Sequence, residues 1–310
     1  MIKPKFWDLK KQSFYSLILY PLTFFTIVNN YLIKISRKEK FKEIFSICIG
    51  NIYLGGTGKT PLALKIYEIL SKLRNQVVIG KKYYSSHKDE IKLLKKKTTL
   101  IIAKKRKLII KKAIKKNKKI IIFDDGLQEK DLEYDLKIAC FDSSSWIGNG
   151  NLIPAGPLRE RISSIKKFDA IFLKNIFEPR KKIIKEIKKI NPLIKVFNTS
   201  FEIINLKKFN LKDRYLIFSG IGNPNNFYNL LKKNRFIVED KIIFPDHYKY
   251  SNKDISEIIK KSKKKKLKII TTEKDYTKIP NKYHKNIMEL KINLIINEKK
   301  KFMEFLNEKI

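Results

Sequence analysis

Hydrophobic and polar positions divide this chain into short apolar runs and longer, lysine-rich segments. The short runs are rich in β-branched and aromatic residues, which is typical of strands buried in a parallel sheet. Strands that alternate with helical segments in this way predict an α/β fold. The predicted strands are Ile44–Ile49, Gln76–Ile79, Leu100–Ala103, Lys119–Asp125, Ala170–Leu173, Val196–Phe197, Tyr215–Phe218, Ile242–Phe244 and Lys268–Thr271.

A glycine-rich turn, GNIYLGGTGKTP, spans residues 50–61 between the first strand and an amphipathic helix. Strand, glycine loop and helix are the context of a P-loop, in which backbone N–H groups cradle phosphates. Lys59 is then expected to reach the β- and γ-phosphates, and the Thr60 hydroxyl to ligate Mg²⁺. Tyr53 stands where the usual pattern has glycine. The residues predicted to bind the nucleotide are Tyr53, Leu54, Gly55, Gly56, Thr57, Gly58, Lys59 and Thr60.

Two aspartates, Asp124 and Asp125, follow four apolar residues at the end of a predicted strand. A buried parallel strand delivers such a carboxylate to the sheet edge that carries the phosphate loop. Either aspartate can therefore hold Mg²⁺, directly or through water. The alternative is that the pair simply forms a turn.

Three further residues have chemistry suited to phosphoryl transfer. Residues 83–90 are predicted to form a polar loop at the same sheet edge, and Asp89 in it is a candidate base for an acceptor hydroxyl. Arg159 ends a loop rich in glycine and proline and is suited to clamp a phosphate. His247 follows a strand, although a single loop histidine is more often structural.

The segment from Gln12 to Ile33 has no charged residue, and basic residues flank it on both sides. Its length approaches that of a membrane-spanning helix, but Pro21, Asn29 and Asn30 interrupt it. We expect a helix that lies in the cytoplasmic leaflet with lysines on anionic headgroups. The alternative is a helix buried in the protein core.

The chain has 310 residues and a formal net charge of +40. Such a charge suits a polyanionic partner such as nucleic acid or an anionic membrane, or it reflects the lysine-rich composition of an AT-rich genome. No nucleic-acid-binding motif is present, so we expect no nucleic-acid partner. We also expect a monomeric protein. Two cysteines in apolar runs indicate neither a disulfide framework nor a zinc site.

The ordered motifs GNIYLGGTGKTP, DE, DDGLQ, NGNLIPAGPLRE, SGIGNP, FPDHYKYS and TTEKD resemble those of the tetraacyldisaccharide 4'-kinase family of the lipid A pathway. The family pattern also lacks the first glycine of the phosphate loop. The resemblance implies a P-loop NTPase-like three-layer α/β/α domain, a second, smaller α/β domain across a cleft, and a membrane-associated N-terminal helix. The implied boundaries are residues 1–40 for the helix, 41–205 for the kinase domain and 206–310 for the smaller domain.

The resemblance also implies the reaction, which moves the γ-phosphate of ATP to the 4'-hydroxyl of a tetraacylated glucosamine disaccharide 1-phosphate, with Mg²⁺, at the cytoplasmic face of the inner membrane. Asp89 would be the general base and His247 its partner, while Lys59 and Arg159 would contact phosphate. The implied metal-site residues are Thr60, Glu90, Asp124 and Asp125.

This chain departs from the family pattern at Gly80–Tyr84, where a Ser-Arg-Gly-Tyr-like stretch is usual, and at Glu129, where a histidine is usual. The alternative function is a P-loop GTPase or metallochaperone-type NTPase that uses no lipid acceptor. Such a protein is expected to carry an Asn-Lys-x-Asp-type motif, and the nearest segment, Glu273–Asp275, lacks the asparagine.

Overall fold

The computed structural model describes residues 3–9, 11–74, 76–84, 88–175 and 181–310, and for Lys88 only the backbone. The chain forms two compact units. The larger unit comprises residues 3–84, 97–200 and 295–310, and the smaller unit comprises residues 88–96 and 201–294 of the described chain.

Twelve strands are present in the described residues. They are β1 Phe45–Gly50, β2 Val77–Lys82, β3 Leu100–Ala103, β4 Ile120–Asp124, β5 Leu136–Asp142, β6 Ala170–Lys174, β7 Lys195–Ile203, β8 Arg214–Ser219, β9 Ile237–Ile243, β10 Lys268–Thr272, β11 Ile287–Leu290 and β12 Ile292–Ile296.

The α-helices of the described chain are α1 Phe14–Leu19, α2 Thr23–Ile35, α3 Lys59–Leu73, α4 Lys88–Lys97, α5 Arg106–Lys115, α6 Lys181–Ile190, α7 Pro224–Lys233, α8 Asn252–Lys264, α9 Glu273–Tyr276 and α10 Lys299–Lys309. Short 3₁₀ helices cover Lys5–Asp8, Tyr20–Leu22, Ile162–Lys167, Leu206–Lys208 and Asn281–Asn286.

The larger unit is built on a sheet of eight strands in the order β12-β7-β6-β5-β1-β4-β2-β3, and the strands from β7 to β3 are parallel to their neighbours. Apolar residues of β1 and β4 are buried on both faces because helices cover each side. Helix α5 packs in one core cluster and α6 in another, which gives the predicted three layers. Because β1 and β4 pair in register, the two strands end at the same edge of the sheet, at Gly50 and Asp124.

The smaller unit has a parallel sheet in the order β11-β10-β8-β9. Helix α7 contributes Phe227 and Leu231 to one core cluster, and α8 contributes Ile255 and Ile258 to another. The helices therefore cover both faces of this sheet as well, so the fold class predicted from the sequence is confirmed.

The two units differ from the predicted boundaries. Residues 88–96 and 201–205 belong to the smaller unit, and residues 3–40 and 295–310 belong to the larger one. The C-terminal helix joins the larger unit because Phe302 packs edge-on against Phe172 and Phe197, with ring centroids 5.1 and 5.2 Å away. A prediction by sequence order cannot anticipate such a return of the chain.

The N-terminal residues 14–35 form an apolar helical segment that is long enough to span a membrane, although only 11% of its most apolar stretch is buried. This result excludes the alternative of a core helix. A single helix of this kind is weak evidence for membrane association. One narrow stripe along it faces the protein, and all the remaining positions from 14 to 35 are exposed. The stripe consists of Ser13, Ser16, Leu19, Thr23, Thr26, Asn30, Ile33 and Ser36.

The exposed positions of this segment are mostly large and apolar, and Phe14 and Phe25 are 72% and 70% exposed. The usual arrangement of a helix on a soluble protein is therefore reversed, because the inward side chains are mostly polar and the outward ones mostly apolar. A patch of this kind normally marks a surface that meets another apolar phase.

Candidate functional site

The phosphate loop connects β1 to α3 in the larger unit. Gly58 caps α3 with φ of 93°, in the left-handed region that glycine adopts without strain. The loop therefore brings unpaired N–H groups of the first helical turn to the sheet edge. Lys59 begins the helix, and its Nζ lies 3.2 Å from the side-chain oxygen of Asn51 and 3.8 Å from a carboxylate oxygen of Asp125.

Asn51 holds the loop together from inside. Its buried amide donates to the carbonyl oxygens of Tyr53 and Gly55 and to the hydroxyl of Thr57. The Tyr53 side chain is buried, and its hydroxyl donates to Asp8. Tyr53 therefore contributes its backbone to the loop while its ring packs elsewhere, which explains how a bulky residue fits in place of glycine.

Asp124 ends β4 and lies beside Thr60. One carboxylate oxygen, Oδ2, accepts from the Thr60 hydroxyl at 2.9 Å and from Lys81 Nζ at 2.6 Å. The other, Oδ1, is buried and has no hydrogen-bond partner among the described residues. A buried, unpaired carboxylate oxygen beside a threonine hydroxyl suits Mg²⁺, which prefers oxygen ligands. Thr60 and Asp124 thus fit the ion.

The described residues contain no cluster of three or more His, Cys, Asp and Glu side chains arranged to hold a metal. A P-loop site is of another kind, because Mg²⁺ there takes one or two protein ligands and otherwise binds phosphates and water.

Asp125 faces cations instead. Its backbone is left-handed, with φ of 66°, and its carboxylate lies 3.3 Å from Nη1 of Arg159 and 3.8 Å from Nζ of Lys59. Burial would raise the pKa of Asp125, but the charges of Lys59 and Arg159 outweigh burial and lower the pKa to about 2. The two adjacent aspartates thus have different neighbours, since Asp124 lies beside Thr60 whereas Asp125 contacts Lys59 and Arg159. The expected role of Asp125 at the metal stays a prediction.

Glu129, at the position where the family pattern described above has histidine, forms an ion pair at 2.6 Å with Arg106, whose side chain is buried. The same guanidinium donates to the backbone carbonyl of Asp125. The pair therefore supports the left-handed turn at Asp125, and the departure from the family pattern has a defined structural role.

A second cluster of candidate functional residues, which includes Asp89 and His247, lies in the smaller unit. The predicted loop at 83–90 is corrected, because α4 begins at Lys88 and places Asp89 and Glu90 in its first turn. Residues 85–87 of the predicted loop lie outside the described residues. Nδ1 of His247 is 3.0 and 3.1 Å from the two carboxylate oxygens of Asp89. The predicted pairing of these two residues is therefore present in the geometry of this unit.

Lys274 lies at the centre of this cluster. Its Nζ is 3.3 Å from Asp246, 3.5 Å from both Asp89 and Glu90, and 3.5 Å from Nε2 of His247. The hydrogen on Nδ1 of His247 can be donated to Asp89, while Nε2 of the same ring faces Lys274. Glu90 lies in this cluster, so its expected role at the metal stays a prediction.

Burial would raise the pKa of Asp89, but the hydrogen bond from His247 and the charge of Lys274 outweigh it. The pKa of Asp89 therefore lies well below its usual value. A lowered folded pKa contributes stability above the ordinary carboxyl pKa, and this contribution is lost as the pH falls toward the folded value.

We expect Asp89→Asn to lower the free energy of unfolding by about 1–3 kcal/mol at pH 7, because it leaves the cations around position 89 without their carboxylate. The deficit should shrink as the pH falls below about 4, where the unfolded carboxyl becomes protonated. Urea titrations of both proteins between pH 3 and 7 measure it. A deficit that does not change with pH would contradict an ionised Asp89.

Sequence reasoning missed several residues of these clusters. Asn51 lies inside the glycine-rich motif, and a polar residue in a buried turn was the available signal. Lys81 lies near the end of β2, two residues after the apolar run that predicted this strand, and Lys274 lies within the TTEKD motif. In each case the sequence shows a polar group at a strand end without showing what it contacts.

Comparison with known proteins shows to which family the chain belongs. The sequence model of the family described as Tetraacyldisaccharide-1-P 4'-kinase (LpxK) matches residues 16–310. The chain belongs to this family. It is 44% identical to the tetraacyldisaccharide 4'-kinase of Pelagibacter ubique (strain HTCC1062) over 300 residues, 96% of this chain and 95% of that one. It is 32% identical to the tetraacyldisaccharide 4'-kinase of Rickettsia akari (strain Hartford), over 100% of this chain and 97% of the relative.

The fold agrees with a solved structure of the LpxK family. The crystal structure of LpxK from Aquifex aeolicus in complex with ATP superposes with a TM-score of 0.68 over 94% of this chain and 98% of that chain, at 21% identity. This likeness confirms the two-domain α/β fold. The resemblance of the motifs to the 4'-kinase family is confirmed by the family match, and the alternative of an NTPase without a lipid acceptor is not favoured.

Proposed function

We propose that this protein is a lipid kinase that transfers the γ-phosphate of ATP to the 4'-hydroxyl of a tetraacylated glucosamine disaccharide 1-phosphate. The product would be the bisphosphorylated precursor of lipid A. The observation that carries the proposal is the Asp89–His247 pair in a chain that belongs to the 4'-kinase family. Nucleotide binding alone does not need a buried carboxylate oriented by a histidine, whereas transfer to an alcohol does.

The larger unit would bind the nucleotide. Backbone N–H groups of residues 53–60 and the side chain of Lys59 would hold the phosphates, and Arg159 would bind the phosphate that is transferred. Thr60 and Asp124 would hold Mg²⁺, which supplies charge neutralisation to the phosphates when bound. These preorganised charges are the main source of catalysis in phosphoryl transfer.

The smaller unit would supply the base. In a loose transition state the acceptor hydroxyl loses its proton late, so a carboxylate with a low pKa is an adequate acceptor. His247 fixes the orientation of Asp89, and Lys274 keeps it ionised. The reaction requires the phosphate-binding residues of the larger unit and the Asp89–His247 pair of the smaller unit to act on one substrate. That each unit supplies different groups to the reaction is part of the proposal.

The N-terminal helical segment would hold the enzyme at the cytoplasmic leaflet of the inner membrane. Its outward face is apolar and its inward face binds the protein through polar groups, which suits a helix that lies in the interface. Basic residues at both ends would contact anionic headgroups. Acyl chains of the substrate would stay in the leaflet while its sugar reaches the enzyme. A monomeric state is part of the same proposal.

The proposal is tested with purified protein, ATP, Mg²⁺ and the disaccharide 1-phosphate in mixed micelles. Mass spectrometry should show a lipid product with one added phosphate, and ADP should form in equal amount. Lipid-independent hydrolysis, with GTP preferred over ATP and no phosphorylated lipid, would instead support the alternative NTPase.

We expect the double substitution of Phe24 and Phe25 by serine to weaken the partition of the protein into anionic vesicles at least tenfold. Both side chains are exposed on the outward face, and each substitution removes apolar area that would enter the bilayer. Sedimentation with vesicles measures the partition. The matched control is Leu193→Ser, an apolar residue that is 88% exposed outside the helix. Equal partition of the double variant and the control would refute this role.

A further inference from the structure

The inward stripe of the N-terminal helix is joined to one loop by side-chain hydrogen bonds. Ser16 donates to the carbonyl of Ala155 at 2.7 Å, and Thr26 donates to the carbonyl of Ile153 at 2.6 Å. The amide of Asn30 donates to the carbonyl of Arg159 at 2.8 Å. The helix thus contacts the loop at several points, and one of these is the backbone of Arg159, whose side chain faces Asp125.

The same loop is paired with the phosphate loop. Backbone N–H of Leu54 donates to the carbonyl of Pro157 at 2.8 Å, and N–H of Arg159 donates to the carbonyl of Ile52 at 2.7 Å. Tyr53 and Leu158 form an antiparallel bridge between these two bonds. The peptide groups of Arg159 are therefore fixed on two sides, by the phosphate loop through the N–H and by Asn30 through the carbonyl.

We propose that Asn30 is a positioning residue for phosphoryl transfer, which holds the backbone of Arg159 so that its guanidinium stays aligned with the phosphate loop. The role rests on the proposed kinase function and acts within the larger unit alone. It makes the helix with the apolar outward face a structural part of the ATP site as well as a surface for a bilayer.

The residue type at position 30 supports this role. Asn30 carries the amide of the stripe, and it donates one N–H to the carbonyl of Arg159, 129 residues away in the chain. The guanidinium of Arg159 contacts Asp125 and Gln128 at 3.3 Å each, which are long distances for such bonds. The backbone contacts of Arg159, at 2.7 and 2.8 Å, are shorter than these side-chain contacts, so the backbone adds to the alignment of the guanidinium.

The test compares Asn30→Leu with Asn29→Leu. The two residues are neighbours of the same type, but Asn29 is exposed and lies outside the stripe. With saturating lipid in mixed micelles, Asn30→Leu should lower kcat about tenfold, the cost of losing a hydrogen bond that aligns a reacting group. KM for the lipid should stay within twofold. Asn29→Leu should change neither constant more than twofold.

A double-substitution cycle with Arg159→Ala separates positioning from general loss of structure. If Asn30 acts through Arg159, Asn30→Leu should have no further effect on kcat in the Arg159→Ala background. Asn30→Ala is measured in parallel, because it adds no bulk and serves if the leucine variant fails to fold. Asn30→Gln keeps the amide donor and should recover part of the loss.

Equal kcat for Asn29→Leu and Asn30→Leu in an active wild-type background would overturn the role of Asn30. So would a tenfold loss that persists when Arg159 is alanine. A wild-type protein that phosphorylates no lipid would overturn the proposed function, and the role of Asn30 with it. The wild-type measurement therefore distinguishes the two failures.

Discussion

Replacing Asp89 by asparagine is expected to lower kcat for lipid phosphorylation about 10³-fold, because the amide cannot accept the proton of the sugar hydroxyl. The substitution preserves the size of the side chain and a hydrogen-bond acceptor for Nδ1 of His247. Since Asp89 lies in the smaller unit and the phosphate loop in the larger, the affinity for ATP should stay within twofold. Steady-state assays and equilibrium ATP binding on the same preparation measure both.

The matched control for this loss is Glu257→Gln, which exchanges an exposed carboxylate of α8 for an amide in the same unit. It should leave kcat unchanged. Turnover of Asp89→Asn near that of the control would refute the assignment of the base. A His247→Gln variant should show a smaller loss than Asp89→Asn, because the histidine orients the carboxylate and does not itself take the proton in this assignment.

Replacing Lys59 by alanine is expected to reduce kcat/KM for ATP by about 10³-fold or more. Lys59 is the one charge of the phosphate loop proper, and it would stabilise the negative charge on the β- and γ-phosphates in the transition state. Its Nζ faces Asn51 and Asp125, and these contacts hold the side chain at the sheet edge. Steady-state kinetics with varied ATP measure the loss.

Lys72→Ala is the control, because this lysine lies on the same helix and its side chain is 73% exposed beside Glu68. It should behave as wild type. If Lys59→Ala retains wild-type kcat/KM while the melting temperature is unchanged, the phosphate loop is not the nucleotide site. The two variants at 59 and 89 also differ in kind, since only the first is expected to lose ATP binding.

Local rules were enough to predict the phosphate loop. Gly58, Lys59 and Thr60 follow an apolar strand and precede an amphipathic helix, and the chain folds there as the pattern requires. The strand that ends in two aspartates was predictable for the same reason. The division of roles between Asp124 and Asp125 was not, because it follows from a left-handed turn that Arg106 and Glu129 support.

The second cluster shows where local rules end. Asp89 was placed in a loop, but it lies in the first turn of α4, where its negative charge also suits the helix N-terminus. The central position of Lys274 depends on contacts among three separate segments of the smaller unit. Spacing in the sequence carries no information about such contacts, so only the resemblance to the family suggested that Asp89 and His247 belong together.

The reversed polarity of the N-terminal helix has a practical consequence for work with the isolated protein. In buffer without surfactant, the outward phenylalanines, leucines and isoleucines have no bilayer to enter, and copies of the protein will shield them against one another. A large species on a sizing column would then report this shielding of apolar surface. Detergent at a concentration above its micellar threshold should disperse such species.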